Sequence, residues 1–172
     1  MAAKQPGKLL APYEIRTPFY TFIARPLKTI IQTPIVNEPK LVLYADDDLD
    51  DKNWVSEASK AAESLLELKF VSNGRDVLRY LDSMDGKAYP SLIVLDLNMP
   101  ELDGRQTLKA LKAHSAYNRI PVAVVTTSSS KIDQEVCKRL GASLYLTKPN
   151  SYTEWQDVVR KLEPVAAEAK TR

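Results

Sequence analysis

Cysteine and histidine each occur once, as Cys137 and His114, and glycine only five times in 172 residues. A lone cysteine excludes a disulfide within the chain and fits a reducing compartment, so a cytoplasmic setting is expected. A lone histidine near a helix end reads as a surface residue, and with no ATP-binding motif beside it the chain is not a histidine kinase. The few glycines form no phosphate-cradling loop, and no internal repeat is visible. No apolar run is long enough to span a membrane. No uninterrupted apolar stretch before a small-residue cleavage site marks a signal peptide. A dominant charge is missing as well: 24 Lys and Arg stand against 22 Asp and Glu. Residues 1–39 hold five of the basic residues and two acidic ones, leaving residues 40–172 at a net −1. That balance excludes a basic nucleic-acid-binding domain.

What is there is a set of short apolar runs, each ending in a polar group. Leu41-Val42-Leu43-Tyr44-Ala45 runs into Asp46-Asp47-Asp48, and Leu92-Ile93-Val94-Leu95 into Asp96. Val122-Ala123-Val124-Val125 ends in Thr126-Thr127-Ser128, and Leu144-Tyr145-Leu146 in Thr147-Lys148-Pro149. Runs of this length, apolar throughout, read as strands buried on both faces. Helical patterns between them call for a parallel sheet covered on both sides. The four tips then meet at the carboxyl edge of one sheet, where open α/β folds place their ligands. Asp96 is expected there at a strand tip, presented rather than buried. Pro100 and Gly104 stop the sheet and turn the chain into a helix.

The chemistry follows from the residue types. Carboxylates crowded together repel by about 4 kcal/mol per pair at 4 Å and an effective dielectric near 20. Either a pKa rises or a metal binds. An all-oxygen site suits Mg²⁺, which keeps waters and bridges to phosphate oxygens. A lysine supplies a point charge for a phosphate. An aspartate can itself be the nucleophile and form an acyl phosphate, and phosphoryl transfer asks mainly for positioning and charge neutralisation. Asp46, Asp47, Asp96, Thr126 and Lys148 thus form a plausible Mg²⁺-assisted phospho-aspartate site. Three aspartates in a row leave the register of the acidic pair open by one position. Asp50 and Asp51 read as helix N-terminal charge, Asp103 as a helix cap and Glu101 as solvated.

The helical stripes are Trp54, Ala58, Ala61 and Leu65; Val77, Leu78, Leu81 and Met84; Val136, Cys137 and Leu140 behind Ser130-Lys131-Ile132-Asp133; and Trp155, Val158, Val159 and Leu162 behind Ser151-Tyr152-Thr153-Glu154. The last two openings have capping-box spacing. Pro164 is expected to end or disturb the last helix, leaving residues 164–172 as a tail too short for an output domain. Six of the eleven prolines, Pro6, Pro12, Pro18, Pro26, Pro34 and Pro39, fall in residues 1–39. Their spacing forbids long helices and central strands there. An irregular Pro-rich extension is expected, without activity of its own or serving to dock a kinase or a second copy.

From Lys40 to about Leu162 the chain resembles a response-regulator receiver domain of two-component signalling, in layout similar to the stand-alone chemotaxis regulator. The resemblance implies a doubly wound five-stranded parallel sheet of flavodoxin-like type over residues 40–163. It implies that Asp96 accepts a phosphoryl group from a sensor histidine kinase or phosphotransfer protein. Asp46 and Asp47 match the acidic pair, the second a direct Mg²⁺ ligand and the first acting through water. Asn98 matches the residue whose backbone carbonyl completes the metal site. Thr126 matches the switch hydroxyl, Lys148 the lysine that contacts phosphoryl oxygens, and Tyr145 the aromatic that moves inward with the threonine. Thr127 and Asn150 depart from the small and hydrophobic residues usual at those positions, and extra residues fall around Asp85-Gly86-Lys87-Ala88-Tyr89. The block Asp-Leu-Asn-Met-Pro with Thr-Thr-Ser is similar to small regulators paired with phytochrome-type kinases. The implied output is altered binding to a downstream protein, by a monomer or weak homodimer, with no nucleic acid or membrane. Weak self-dephosphorylation is the only enzymatic property implied. The rival readings are a receiver-fold interaction module that is not phosphorylated, and a haloacid-dehalogenase-type hydrolase. The latter family wants an aspartate where Asn98 stands.

Overall fold

The computed structural model describes residues 38–84 and 88–168. The extension expected over residues 1–39 therefore lies outside the described residues but for its last two, as does the core of the extra segment, residues 85–87. Five strands alternate with five helices in chain order: β1 (Lys40–Ala45), α1 (Leu49–Ala61), β2 (Leu66–Val71), α2 (Gly74–Asp82), β3 (Leu92–Leu95), α3 (Gly104–Ala113), β4 (Val122–Thr126), α4 (Lys131–Arg139), β5 (Leu144–Thr147) and α5 (Tyr152–Ala167). The strands form one parallel sheet in the order β2-β1-β3-β4-β5. This is the doubly wound arrangement expected from the alternation.

Alternate residues of each central strand feed two separate cores. On one face Leu43, Ile93, Leu95, Val122 and Val124 pack with Val77, Leu81, Leu108, Leu111 and Cys137 of α2, α3 and α4. On the other, Val42, Tyr44, Leu92, Val94, Ala123 and Val125 pack with Val55 and Ala58 of α1 and Trp155, Val159 and Leu162 of α5. Burial on both sides is why β1, β3 and β4 are apolar without alternation.

Three local expectations need correction. No apolar run announces β2, because it is an edge strand: Leu66, Leu68 and Phe70 turn to the α1–α5 side while Glu67 and Lys69 are exposed. Consequently Leu65 belongs to the connection before β2, and the buried stripe of α1 is Val55, Ala58 and Ser59, with Trp54 at the surface. Pro164 does not end α5, which runs on to Ala167. A proline there removes one backbone hydrogen bond, and burial of Ala166 with part of Val165 in the core beneath α5 offsets the loss.

Between β3 and α3 the chain turns sharply. Glu101 adopts φ 61° just after Pro100, and the Leu102 amide bonds back to the Pro100 carbonyl at 2.7 Å. Gly104 then lies directly against the end of β3, where any Cβ would collide with the Asp96 carbonyl oxygen. Glycine is needed there for close approach rather than for its dihedral freedom.

Candidate functional site

Register fixes which groups meet. Ala45 is paired with Leu95 across β1 and β3, and Thr126 with Thr147 across β4 and β5. The Asp96 amide donates to the Ala45 carbonyl at 2.9 Å and the Lys148 amide to the Thr126 carbonyl at 2.8 Å. Asp46 and Asp96 therefore emerge side by side at the carboxyl edge of the sheet, with Lys148 at the same edge two strands beyond Asp96.

Lys148 is the centre of the cluster. Its Nζ lies 2.7 Å from Asp96 Oδ2, 2.8 Å from Asp46 Oδ2 and 2.8 Å from Asp51 Oδ2. Burial alone would lower its pKa, but the Asp46, Asp51 and Asp96 carboxylates around it outweigh that and hold it raised. Its side chain is only 5% exposed. Asp96 is 4% exposed, which corrects the expectation of a freely presented carboxylate. The lysine closes over the strand tips because an isolated charge at that depth is costly.

Asp46, Asp47 and Asp96 each offer a carboxylate oxygen within 4.8 Å of the others. Asp46 is fully buried and Asp47 exposed. Burial pushes the Asp46 carboxyl from its ordinary 3.8 up to about 6, although Lys148 and the Asp48 amide pull it down. One ammonium shared by three carboxylates cannot compensate each fully. Lys148 also approaches Asp46 Oδ2 off the hydrogen-bond axis, so this buried oxygen has no aligned donor among the described residues. A close all-oxygen set with an under-satisfied buried member fits a hard divalent cation.

The third aspartate of the run serves α1 instead. Asp48 is its N-cap, accepting from the Asp50 and Asp51 amides at 2.8 and 3.4 Å, while its own amide donates to Asp46 Oδ1 at 3.0 Å. Asn98 is exposed, with its amide 3.2 Å from Asp96 Oδ1. Thr126 is buried, and its hydroxyl accepts weakly from the Ser128 amide at 3.5 Å. Tyr145 is half-buried in β5, and its hydroxyl donates to the Ser128 carbonyl at 2.9 Å. The structure thus gathers Asp46, Asp47, Asp96 and Lys148 in one cluster, whereas Thr126 and Tyr145 are linked to each other through Ser128.

Two features escape a reading by residue type. Asp51, assigned to helix charge, turns inward to Lys148; its place three residues after the capping Asp48 was the available signal. The loop after β4 is also tied down. Ser128 donates to Asp133 Oδ2 at 2.6 Å, and Arg105 of α3 meets Asp133 Oδ1 at 2.8 Å. Hydrogen bonds from Ser128 and Arg105 hold the Asp133 carboxyl below the usual range. Ser128 thereby joins β4, α4, α3 and Tyr145. Asp103 caps α3 as expected, accepting from the Gln106 amide at 2.8 Å.

The fold has counterparts among known proteins. The profile described as response regulator receiver domain matches residues 42–160. Response regulator Rcp1 of Synechocystis sp. is 32% identical over 138 residues, covering 78% of this chain and 94% of the relative. Protein PilG of Pseudomonas aeruginosa is 30% identical over 118 residues, covering 66% of this chain and 87% of the relative. Among solved structures, the phosphorylated cyanobacterial phytochrome response regulator RcpA superposes with a TM-score of 0.68 at 28% identity, covering 77% of this chain and 97% of that one. The Mn²⁺-bound form of Rcp1 gives 0.65 at 32%, covering 73% and 92%.

Proposed function

We propose that this chain, which belongs to the response regulator receiver family of two-component signalling, accepts a phosphoryl group on Asp96 from a histidine kinase or phosphotransfer protein and signals through altered protein–protein binding. The carrying observation is the buried cluster at the carboxyl edge of the sheet, where Lys148 spans Asp96 and Asp46 at 2.7 and 2.8 Å. It supports the reading because phosphoryl transfer to a carboxylate needs a positioned oxygen and fixed positive charge rather than acid or base help.

In this reading an Asp96 carboxylate oxygen attacks the phosphorus of a phosphohistidine. The new O–P bond forms as the P–N bond breaks, and the electron pair leaves with the imidazole. Lys148 transfers its contact from the Asp96 carboxylate to the phosphoryl oxygens. Asp46, Asp47, Asp96 and the Asn98 carbonyl would hold Mg²⁺, which when bound neutralises charge on the transferring group. The Thr126 hydroxyl gives up its weak contact with the Ser128 amide for a phosphoryl oxygen. Tyr145 follows, leaving the Ser128 carbonyl, and the face made by α4, β5 and α5 changes. The domain organisation belongs to the same proposal: residues 40–163 carry the receiver function and residues 1–39 are an extension to it. Hydrolysis of the acyl phosphate returns Asp96 to its resting ion pair, a weak self-dephosphorylation.

The decisive experiment is labelling with acetyl phosphate and Mg²⁺. The wild type should shift on a phosphate-affinity gel and Asp96→Asn should not. Equal labelling of Asp96→Asn would reassign the acceptor, and no labelling of the wild type would favour a binding module that is not phosphorylated.

A further inference from the structure

Lys148 has three carboxylate partners, and two of them are also the groups a cation would claim. Asp46 and Asp96 belong to the close oxygen set with Asp47; Asp51 does not, although its Oδ2 is as near to Nζ as that of Asp46. A cation and the ammonium therefore compete for Asp46 and Asp96 but not for Asp51. A buried ammonium stripped of all partners would be expelled toward solvent, so one retained carboxylate decides whether Lys148 stays in place while the site is loaded.

Asp51 is held for this role by the helix it stands on. In a capping box the acidic residue at its position bonds back to the N-cap amide. Here the Asp48 amide is already taken by Asp46 Oδ1 at 3.0 Å, and Asp48 in turn accepts from the Asp51 amide. The Asp51 backbone is fixed, its side chain is released from the cap, and it reaches Lys148.

We propose that Asp51 is the standing counter-ion of Lys148, keeping the ammonium on the α1 side of the site when a divalent cation takes over Asp46 and Asp96. It is a positioning residue and need not touch the cation. This rests on the reading of the acidic trio as a cation site. Two effects of removing it act in the same direction. The negative field at the trio weakens, and Lys148 falls back onto Asp46 and Asp96, where it opposes the incoming cation.

The test uses the full chain with Mg²⁺ as probe. Mg²⁺ affinity is read from the rise in melting temperature across a titration, and the Lys148 ammonium from its ¹H–¹⁵N side-chain resonance. Asp51→Asn should bind Mg²⁺ on the order of tenfold more weakly, the scale expected for losing one charge near a divalent ion. At saturating Mg²⁺ the Lys148 ammonium resonance should persist in the wild type and vanish in Asp51→Asn. Asp51→Glu, which keeps the charge on a longer arm, should restore both readings to within about threefold of the wild type, and carries the test should Asp51→Asn fail to fold. A normal Mg²⁺ affinity or a persistent ammonium resonance in Asp51→Asn, or no restoration in Asp51→Glu, would overturn the proposal alone. A wild type with no response to Mg²⁺ would overturn the cation site and the proposal together.

Discussion

The sharpest consequences at the scale of single residues concern buried polar groups beside the site. The Asp46 carboxyl is raised from 3.8 to about 6 by burial, so the folded state holds this proton more tightly than the unfolded chain. The stabilisation is complete below about pH 4 and is lost as pH rises through 6. At neutral pH without metal, ionised Asp46 is therefore a liability. Asp46→Asn should raise metal-free stability at pH 7 and flatten the pH dependence between about 4 and 6. Urea melts at pH 4.5 and 7 in EDTA check this; equal slopes in wild type and variant would refute the assignment. Tyr44 poses the same question without charge. It is fully buried, and its hydroxyl has no partner among the described residues. A buried unpaired hydroxyl costs about 1–3 kcal/mol. Tyr44→Phe, which keeps the tilted contact with the Phe70 ring, should therefore match or exceed the wild type in melting temperature. A clear loss would reveal a partner for the hydroxyl.

Among elements, the loop between β4 and α4 is the natural place for a two-state device. Ser128 receives the Tyr145 hydroxyl on its carbonyl, offers its amide to Thr126, and gives its own hydroxyl to Asp133, which Arg105 also holds. Movement of Thr126 toward Asp96 must therefore disturb contacts with both β5 and α4. A ligand shifts such an equilibrium only by its differential interaction with the two states, and in the function proposed above the Thr126 hydroxyl would supply it. Thr126→Ala should accept the phosphoryl group on Asp96 yet lose the change that beryllofluoride induces in amide exchange around Tyr145 and α5. A full wild-type change in that variant would show the coupling running through another contact, with the Arg105–Asp133 pair the next to examine.

For the whole molecule, the site groups and both cores found among the described residues lie between Lys40 and Ala167. A chain beginning at Glu38 should therefore fold cooperatively, gain melting temperature with millimolar Mg²⁺ by mass action and label with acetyl phosphate. Thermal melts and gel shifts of the shortened chain beside the full one are the check. Loss of folding or of labelling would make residues 1–37 part of the core or of the site. No helix among the described residues is long and apolar enough to cross a membrane.

The sequence alone determined what depends on burial and chain order. Leu92-Ile93-Val94-Leu95 read as a strand covered on both faces, because a half-exposed strand would alternate and turn residues bound the short run. The same logic placed Asp46, Asp96, Thr126 and Lys148 at strand tips and Asp103 at a helix cap, since these rest on neighbours a few positions away. Edge position and long-range partnership were not legible. The strand Leu66–Val71 alternates because only one of its faces is covered well, and a helical stripe drawn on to Leu65 obscured where α1 stops and this strand begins. Pro164 is tolerated in α5, where Ala166 two residues on is buried in the core beneath the helix, an anchorage supplied by the tertiary packing. Asp51 and Asp48 are both acids at the start of α1, yet one caps the helix and the other pairs with an ammonium 97 positions along the chain. Tertiary structure decided between them, because a charge takes the partner that the fold brings within reach, and sequence distance carries no information about that partner.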